Sequence, residues 1–183
     1  RRQRQMCIRD SFITGSLSIE GAESAMDSLA QYVERHGKDY CDIVVTADSH
    51  PASHCSFKEN GGEWQRHCVK GSNGAAIWSP LFKVLFDGGR EPHLLHKGQF
   101  PDVEEYSIFS NRAAADYLKD LFSLRQVDSV DICGLAGDVC VLKSLNDGMK
   151  MFPDISFNVL WEYSPCIDQS AVENIRHSDP ATH

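Results

Sequence analysis

Four side chains able to bind a divalent metal stand close together in the chain. Asp48 and His50 are two residues apart, so in extended chain they point to the same side. His54 follows beyond a turn at Pro51, and His67 lies in Trp64-Gln65-Arg66-His67-Cys68. One carboxylate and three imidazoles suit Zn²⁺, Mn²⁺ or Fe²⁺ and leave positions open for water or substrate. Taken singly, each histidine reads better as a solvated loop residue, and it is the four together just past a strand that point to a metal. A zinc finger built from Cys41, Cys55, His67 and Cys68 fits poorly, because their spacing makes no paired C-x-x-C or H-x-x-x-H.

A second chemistry centres on sulfur. In Cys133-Gly134-Leu135-Ala136-Gly137-Asp138-Val139-Cys140-Val141, small residues permit a sharp strand-to-helix turn. Cys140 then falls in the first turn of a helix, where exposed N–H groups and the helix dipole stabilise a thiolate. The same N–H groups can hold an oxyanion when a thiolate attacks an amide carbonyl. The alternative is a thiol simply buried on an amphipathic helix. Cys133, inside a strand, and Cys68, beside a candidate ligand, have no comparable activation. A nucleophilic thiol needs a base or cation nearby. Lys97, in His96-Lys97-Gly98, is one candidate, although a loop lysine on its own is nearly always just a solvated cation.

These groups need a scaffold. Three short runs rich in β-branched or aromatic residues read as buried strands: 42–46, 127–135 and 157–161. Helical spacing appears at 21–36, where Ala25, Met26, Leu29, Tyr32 and Val33 share a face and Gly37 can end the helix. It recurs at 113–124 through Ala114, Tyr117, Leu118, Leu121 and Phe122, and at 139–152 through Val141, Leu142, Leu145 and Met149. Strand and helix alternate, which predicts an α/β fold with a mostly parallel sheet flanked by helices. Such a sheet collects functional groups at the carboxyl ends of its strands. Residues 51–101 are rich in Gly, His, Ser, Asn and Trp with little periodicity, and read as a functional loop region.

Composition narrows the classes. The 183 residues suit one domain, with 42% hydrophobic and 24% charged residues, which excludes disordered and fibrous chains. Eighteen basic against 26 acidic residues give a net charge of −8, which favours solubility and works against nucleic-acid binding. No run approaches the ~18–20 apolar residues of a membrane span. The opening Arg1-Arg2-Gln3-Arg4 leads into no apolar stretch, so it is no secretory signal. The seven cysteines are odd in number and contain no C-x-x-C, which predicts a reduced, cytoplasmic protein; a homo-oligomer is compatible with all of this.

Together the segments resemble the nicotinamidases within the isochorismatase-like cysteine hydrolases. Residues 12–17 resemble the family's N-D-F-x-x-G-S-L, 48–57 its D-W-H-P-x-x-H-x-S-F, and 64–71 its W-P-x-H-C-x-x-G. His96-Lys97-Gly98 matches its catalytic-lysine turn, residues 106–109 its Y-S-x-F, and 135–141 its G-L-A-x-D-x-C-V. The resemblance implies a three-layer α/β/α fold and deamidation of nicotinamide to nicotinate and ammonia. It implies Cys140 as nucleophile, Lys97 as holder of its thiolate, and the N–H groups of Ala136 and Cys140 as oxyanion hole. It further implies a divalent metal on Asp48, His50, His54 and His67, zinc first with manganese or iron as alternatives. Phe12, Trp64 and Tyr106, with Leu135 and Ala136, would contact substrate, and the Leu135–Ala136 peptide would be cis.

The chain departs from this pattern at its start. Family members place a general-base Asp five residues before Phe12, and that position is Cys7. Residues 1–11 also carry Arg1, Arg2, Arg4, Arg9 and Asp10, a poor composition for a central parallel strand. They are therefore expected to be a non-native or artefactual segment, similar to a translated sequencing adapter. Residues 12–183 are expected to be the hydrolase domain, truncated at both ends and short of a strand after a helix that starts near Asp168. Ser49 stands where the family has an aromatic residue and Gly137 where it has Thr. Two further readings stay open: a homologue that binds metal and nicotinamide without turnover, and a related isochorismatase-like amidohydrolase.

Overall fold

The structure is a computed structural model that describes residues 1–7, 10–87, 89, 91–168 and 170. The helix expected from near Asp168 and any strand after it lie outside these residues. Five strands form one parallel sheet: β1 (Arg2–Cys7), β2 (Asp42–Asp48), β3 (His93–Lys97), β4 (Ser129–Gly134) and β5 (Ser156–Val159). Their order is β3-β2-β1-β4-β5. The chain therefore builds outward from β1 to one side and then to the other, and a crevice opens where the direction reverses, beyond the carboxyl ends of β1 and β4.

Side chains alternate between the two faces of the sheet, and each face has its own core. On one face Ile43, Val45, Cys133 and Leu135 pack against α1 (Ala22–His36) and α2 (Ser79–Asp87), through Met26, Leu29, Val33, Leu81 and Leu85. On the other, Val44, Val130 and Ile132 meet Leu118, Leu121 and Phe122 of α3 (Arg112–Arg125), with α4 (Leu142–Met151) beside it. The result is three layers, α/β/α, as expected. Asn111 caps α3 by accepting from the Ala114 N–H at 3.0 Å, which satisfies one of the donors a helix start leaves open. No helix among the described residues is long and apolar enough to cross a membrane.

The three expected strands and three expected helices are present, with two differences at their ends. The last strand stops at Val159, and Trp161–Tyr163 winds into a 3-10 turn. The chain after β4 enters helix through a wider π-helical turn, Gly137–Val141, before α4. Three elements were not anticipated. Residues 51–101 hold α2 and the edge strand β3 as well as loop. Pro80 near the start of α2 and the cluster Leu81, Val84, Leu85 were its signals, diluted by the polar residues on either side. Arg2–Cys7, compositionally poor as a strand, takes the central place, because the backbone ladders of β2 and β4 pair with it whatever its side chains are. At its foot Arg2 reaches the wholly buried Asp131 at 3.1 Å, and Tyr40 donates to the same carboxylate at 2.6 Å.

Candidate active site

β2 ends at Asp48 and β3 at Lys97, and the two are register partners. Adjacent parallel strands put such partners side by side, and here Lys97 Nζ donates to Asp48 Oδ1 in a buried ion pair. Lys97 Nζ also donates to the Glu105 carbonyl at 3.0 Å and lies 3.6 Å from Cys140 Sγ. A buried cation at that distance favours the thiolate over the thiol. Burial pushes the Asp48 pKa up, but Lys97 with His50 and His67 outweighs it and holds the carboxyl below the usual range. Asp48 is therefore ionised.

Beside this pair, Asp48, His50 and His67 present ligand atoms that all lie within 4.8 Å of one another. The Nδ1 of His50 faces the Gly98 carbonyl at 2.9 Å, and that of His67 faces the Gln65 carbonyl at 2.8 Å. A carbonyl can only accept, so each ring donates from Nδ1 and keeps the lone pair of Nε2 for a metal. Burial lowers His50 to about 4 and moves His67 in the same direction. Both rings are then neutral near pH 7, the form that ligates. Two neutral imidazoles and an ionised carboxylate converging in a buried corner fit a divalent cation.

The turn after β3 makes this approach possible. Gly98 has φ 64°, and a Cβ there would lie 2.3 Å from His50 Cε1. The Gly98 N–H donates to Glu105 Oε2 at 2.7 Å, and Asn111 Nδ2 steadies the same carboxylate at 3.0 Å. His54, the fourth expected ligand, comes close but does not join the trio. Its ring centre lies 4.0 Å from that of His50, yet Nδ1 meets Ser56 Oγ at 2.7 Å and Nε2 meets the Val103 carbonyl at 3.1 Å. Both nitrogens are thus engaged by oxygen partners.

Cys140 sits in the π-helical turn after β4 and is almost wholly buried. It faces a cleft between the strand ends. Phe12, Trp64, Tyr106 and Ala136 line this cleft together with Asp48, His50, His67 and Lys97. Trp64 Nε1 donates to Tyr106 Oη at 2.9 Å, which fixes the two rings against each other. The peptide between Leu135 and Ala136 is cis.

No family model matches the chain. The nicotinamidase of Escherichia coli is 26% identical over 159 residues, covering 75% of this chain and 70% of that protein. An L. infantum protein solved in complex with nicotinate aligns with a TM-score of 0.83 at 28% identity, over 96% of this chain and 86% of that one. The pyrazinamidase of Pyrococcus horikoshii, solved in complex with zinc, aligns with a TM-score of 0.81 at 25% identity, over 96% and 94%. The chain is similar in sequence and fold to nicotinamidases.

Set against those proteins, one expected contact falls elsewhere in this chain. Leu135 is wholly buried in the core beneath α1, and its side chain is not in the cleft lining. Its part in the site is to carry the peptide that leads into Ala136. Four lining residues were not among the expected site residues: Leu17, Glu104, Val139 and Ile167. Burial raises the pKa of Glu104, whose acidic neighbours Asp102 and Glu105 make the run read as solvated surface. Ile167 follows the last strand in a segment without periodicity, so nothing in the sequence marked it.

Proposed function

We propose that this chain hydrolyses the carboxamide of nicotinamide to nicotinate and ammonia. The observation that carries the reading is the Cys140 thiol, 3.6 Å from a buried lysine and opening on an aromatic cleft that also holds Asp48, His50 and His67. The flat ring lies between Phe12, Trp64 and Tyr106. Lys97 holds the sulfur as thiolate, and the ion pair with Asp48 holds Lys97. The sulfur bonds to the carboxamide carbon, and the N–H groups of Ala136 and Cys140 take the charge on the oxygen. The carbon–nitrogen bond then breaks, and the nitrogen leaves as ammonia with the proton that the thiol gave up. Water adds its hydroxyl to the acyl carbon and returns a proton to sulfur, releasing nicotinate.

Asp48, His50 and His67 would hold one divalent metal, zinc before manganese or iron, with His54 the fourth donor expected from the motif. Bound there, it would supply Lewis-acid chemistry toward the substrate ring and a polarised water. The partner is thus a small molecule and neither nucleic acid nor membrane. The test is ammonia release from nicotinamide by purified chain resupplied with metal, compared with pyrazinamide and isochorismate. Turnover of the two amides that disappears in Cys140→Ala supports the reading. Turnover of isochorismate alone, or of none, overturns it.

A further inference from the structure

The segment after β5 folds back over the turn that carries Cys140, and three contacts hold it there. The Gly137 N–H donates to the Pro165 carbonyl at 2.9 Å. Approach this close depends on glycine, since a Cβ at 137 would lie 2.3 Å from the Ser164 carbonyl oxygen and 2.8 Å from Cys166 Sγ. Asp138, the next residue, turns its carboxylate on the segment: Oδ1 accepts from the Ile167 N–H at 3.0 Å and Oδ2 from the Asp168 N–H at 2.9 Å. Hydrogen bonds to a carboxylate are among the stronger ones, and two from consecutive amides fix both position and direction of a backbone.

The residue so fixed is Ile167. It lines the cleft with Cys140 and Val139, and its side chain is 41% exposed, as befits a residue at the mouth. It contributes no polar group, so its effect on a ligand is shape. We infer that Ile167 is a specificity-determining residue, a sill across the mouth of the cleft, and that Asp138 is the positioning residue that holds it in place. The sill admits a flat, unsubstituted ring and turns away substituents directed toward solvent. This rests on reading the cleft as the substrate site, although the geometry of the sill holds for any ligand that reaches Cys140.

The test uses the sulfur itself as reporter. The full chain is treated with iodoacetamide or with N-benzyliodoacetamide, and alkylation of Cys140 is followed by mass spectrometry of its peptide. The quantity read is the ratio of the bulky-probe rate to the small-probe rate. Ile167→Ala should raise this ratio about tenfold, the scale on which a hydrophobic wall discriminates by size. Asp138→Ala and Gly137→Ala should raise it too, Ile167→Val should restore the parent value, and Ile167→Trp should lower it. In turnover, Ile167→Ala should raise KM for nicotinamide more than it changes kcat, the sign of lost ground-state binding. A ratio that stays constant across the Ile167 series overturns the inference, as do two rates that rise in step, which would report a loosened turn. The alkylation arm does not depend on nicotinamide being the substrate, so failure of the sill and failure of the proposed function are told apart.

Discussion

β1 and β2 lie side by side at the centre of the same sheet and are built in opposite ways. β2 is buried along its whole length, and Ile43, Val44, Val45 and Ala47 pack on both faces before the strand ends in Asp48. Apolar body and ionised tip divide the work, one holding the strand and the other the ion pair and metal corner. β1 is likewise paired on both sides, by β2 and β4, yet places Gln3 wholly inside, with neither amide atom hydrogen-bonded among the described residues. It ends in Cys7, in register with Thr46 and Gly134, where the family resemblance calls for a carboxylate. Backbone pairing alone is thus enough to assign a strand its place. Stability at that place comes from side chains, and the buried Gln3 amide supplies none.

The largest expected effect lies on the well-built side. Cys140→Ala should reduce nicotinamide turnover at least about a thousandfold, as loss of a nucleophile does, while Cys7→Ala should leave it within about twofold. Equal losses in both would place β1 in the chemistry and break the contrast. Next comes the metal corner, where His67→Ala should weaken zinc binding at least about a hundredfold by competition with a chromophoric chelator, more than loss of an outer partner would. Retention of full affinity would remove His67 from the donor set. The third prediction repairs β1: Cys7→Asp should raise kcat about a hundredfold, the contribution of a positioned general base. An unchanged kcat would show that the end of β1 takes no part and that the Asp48–Lys97 pair suffices.

What the sequence made legible follows the same division. Local signals sufficed for β2, β4, α1 and α3, whose apolar spacing and burial agree. They raised Asp48, His50 and His67 as candidates, but Lys97 and Cys140 had bland readings that only the family resemblance outweighed; the fold brings all five to one crevice. Long-range choices were not legible. The two oxygen atoms that His54 meets belong to Ser56 and to Val103, the latter far along the chain. Ile167 reaches the cleft only because Gly137 and Asp138 draw its segment in. β1 was hidden for a further reason: its composition argues against burial, and pairing with β2 and β4 overrides composition.

The smallest expected effect concerns that override. An amide buried without partners costs about 1–3 kcal/mol, because the water it gives up is not replaced. Gln3 stands between Asp42 and Val130 in the ladders, at the opposite end of β1 from the cleft. Gln3→Leu keeps the volume and removes both orphaned atoms, so unfolding in urea should shift to higher midpoint with unchanged slope. Melting should rise by about 2–4 °C for each kcal/mol recovered. The reverse exchange in β2 should have the opposite sign: Val44→Gln buries a new amide in a fully enclosed position and should cost at least as much. Activity per folded molecule should be the same in both. Should Gln3→Leu instead destabilise the protein, the amide of residue 3 has a partner in solution, and β1 is as well fitted to its place as β2.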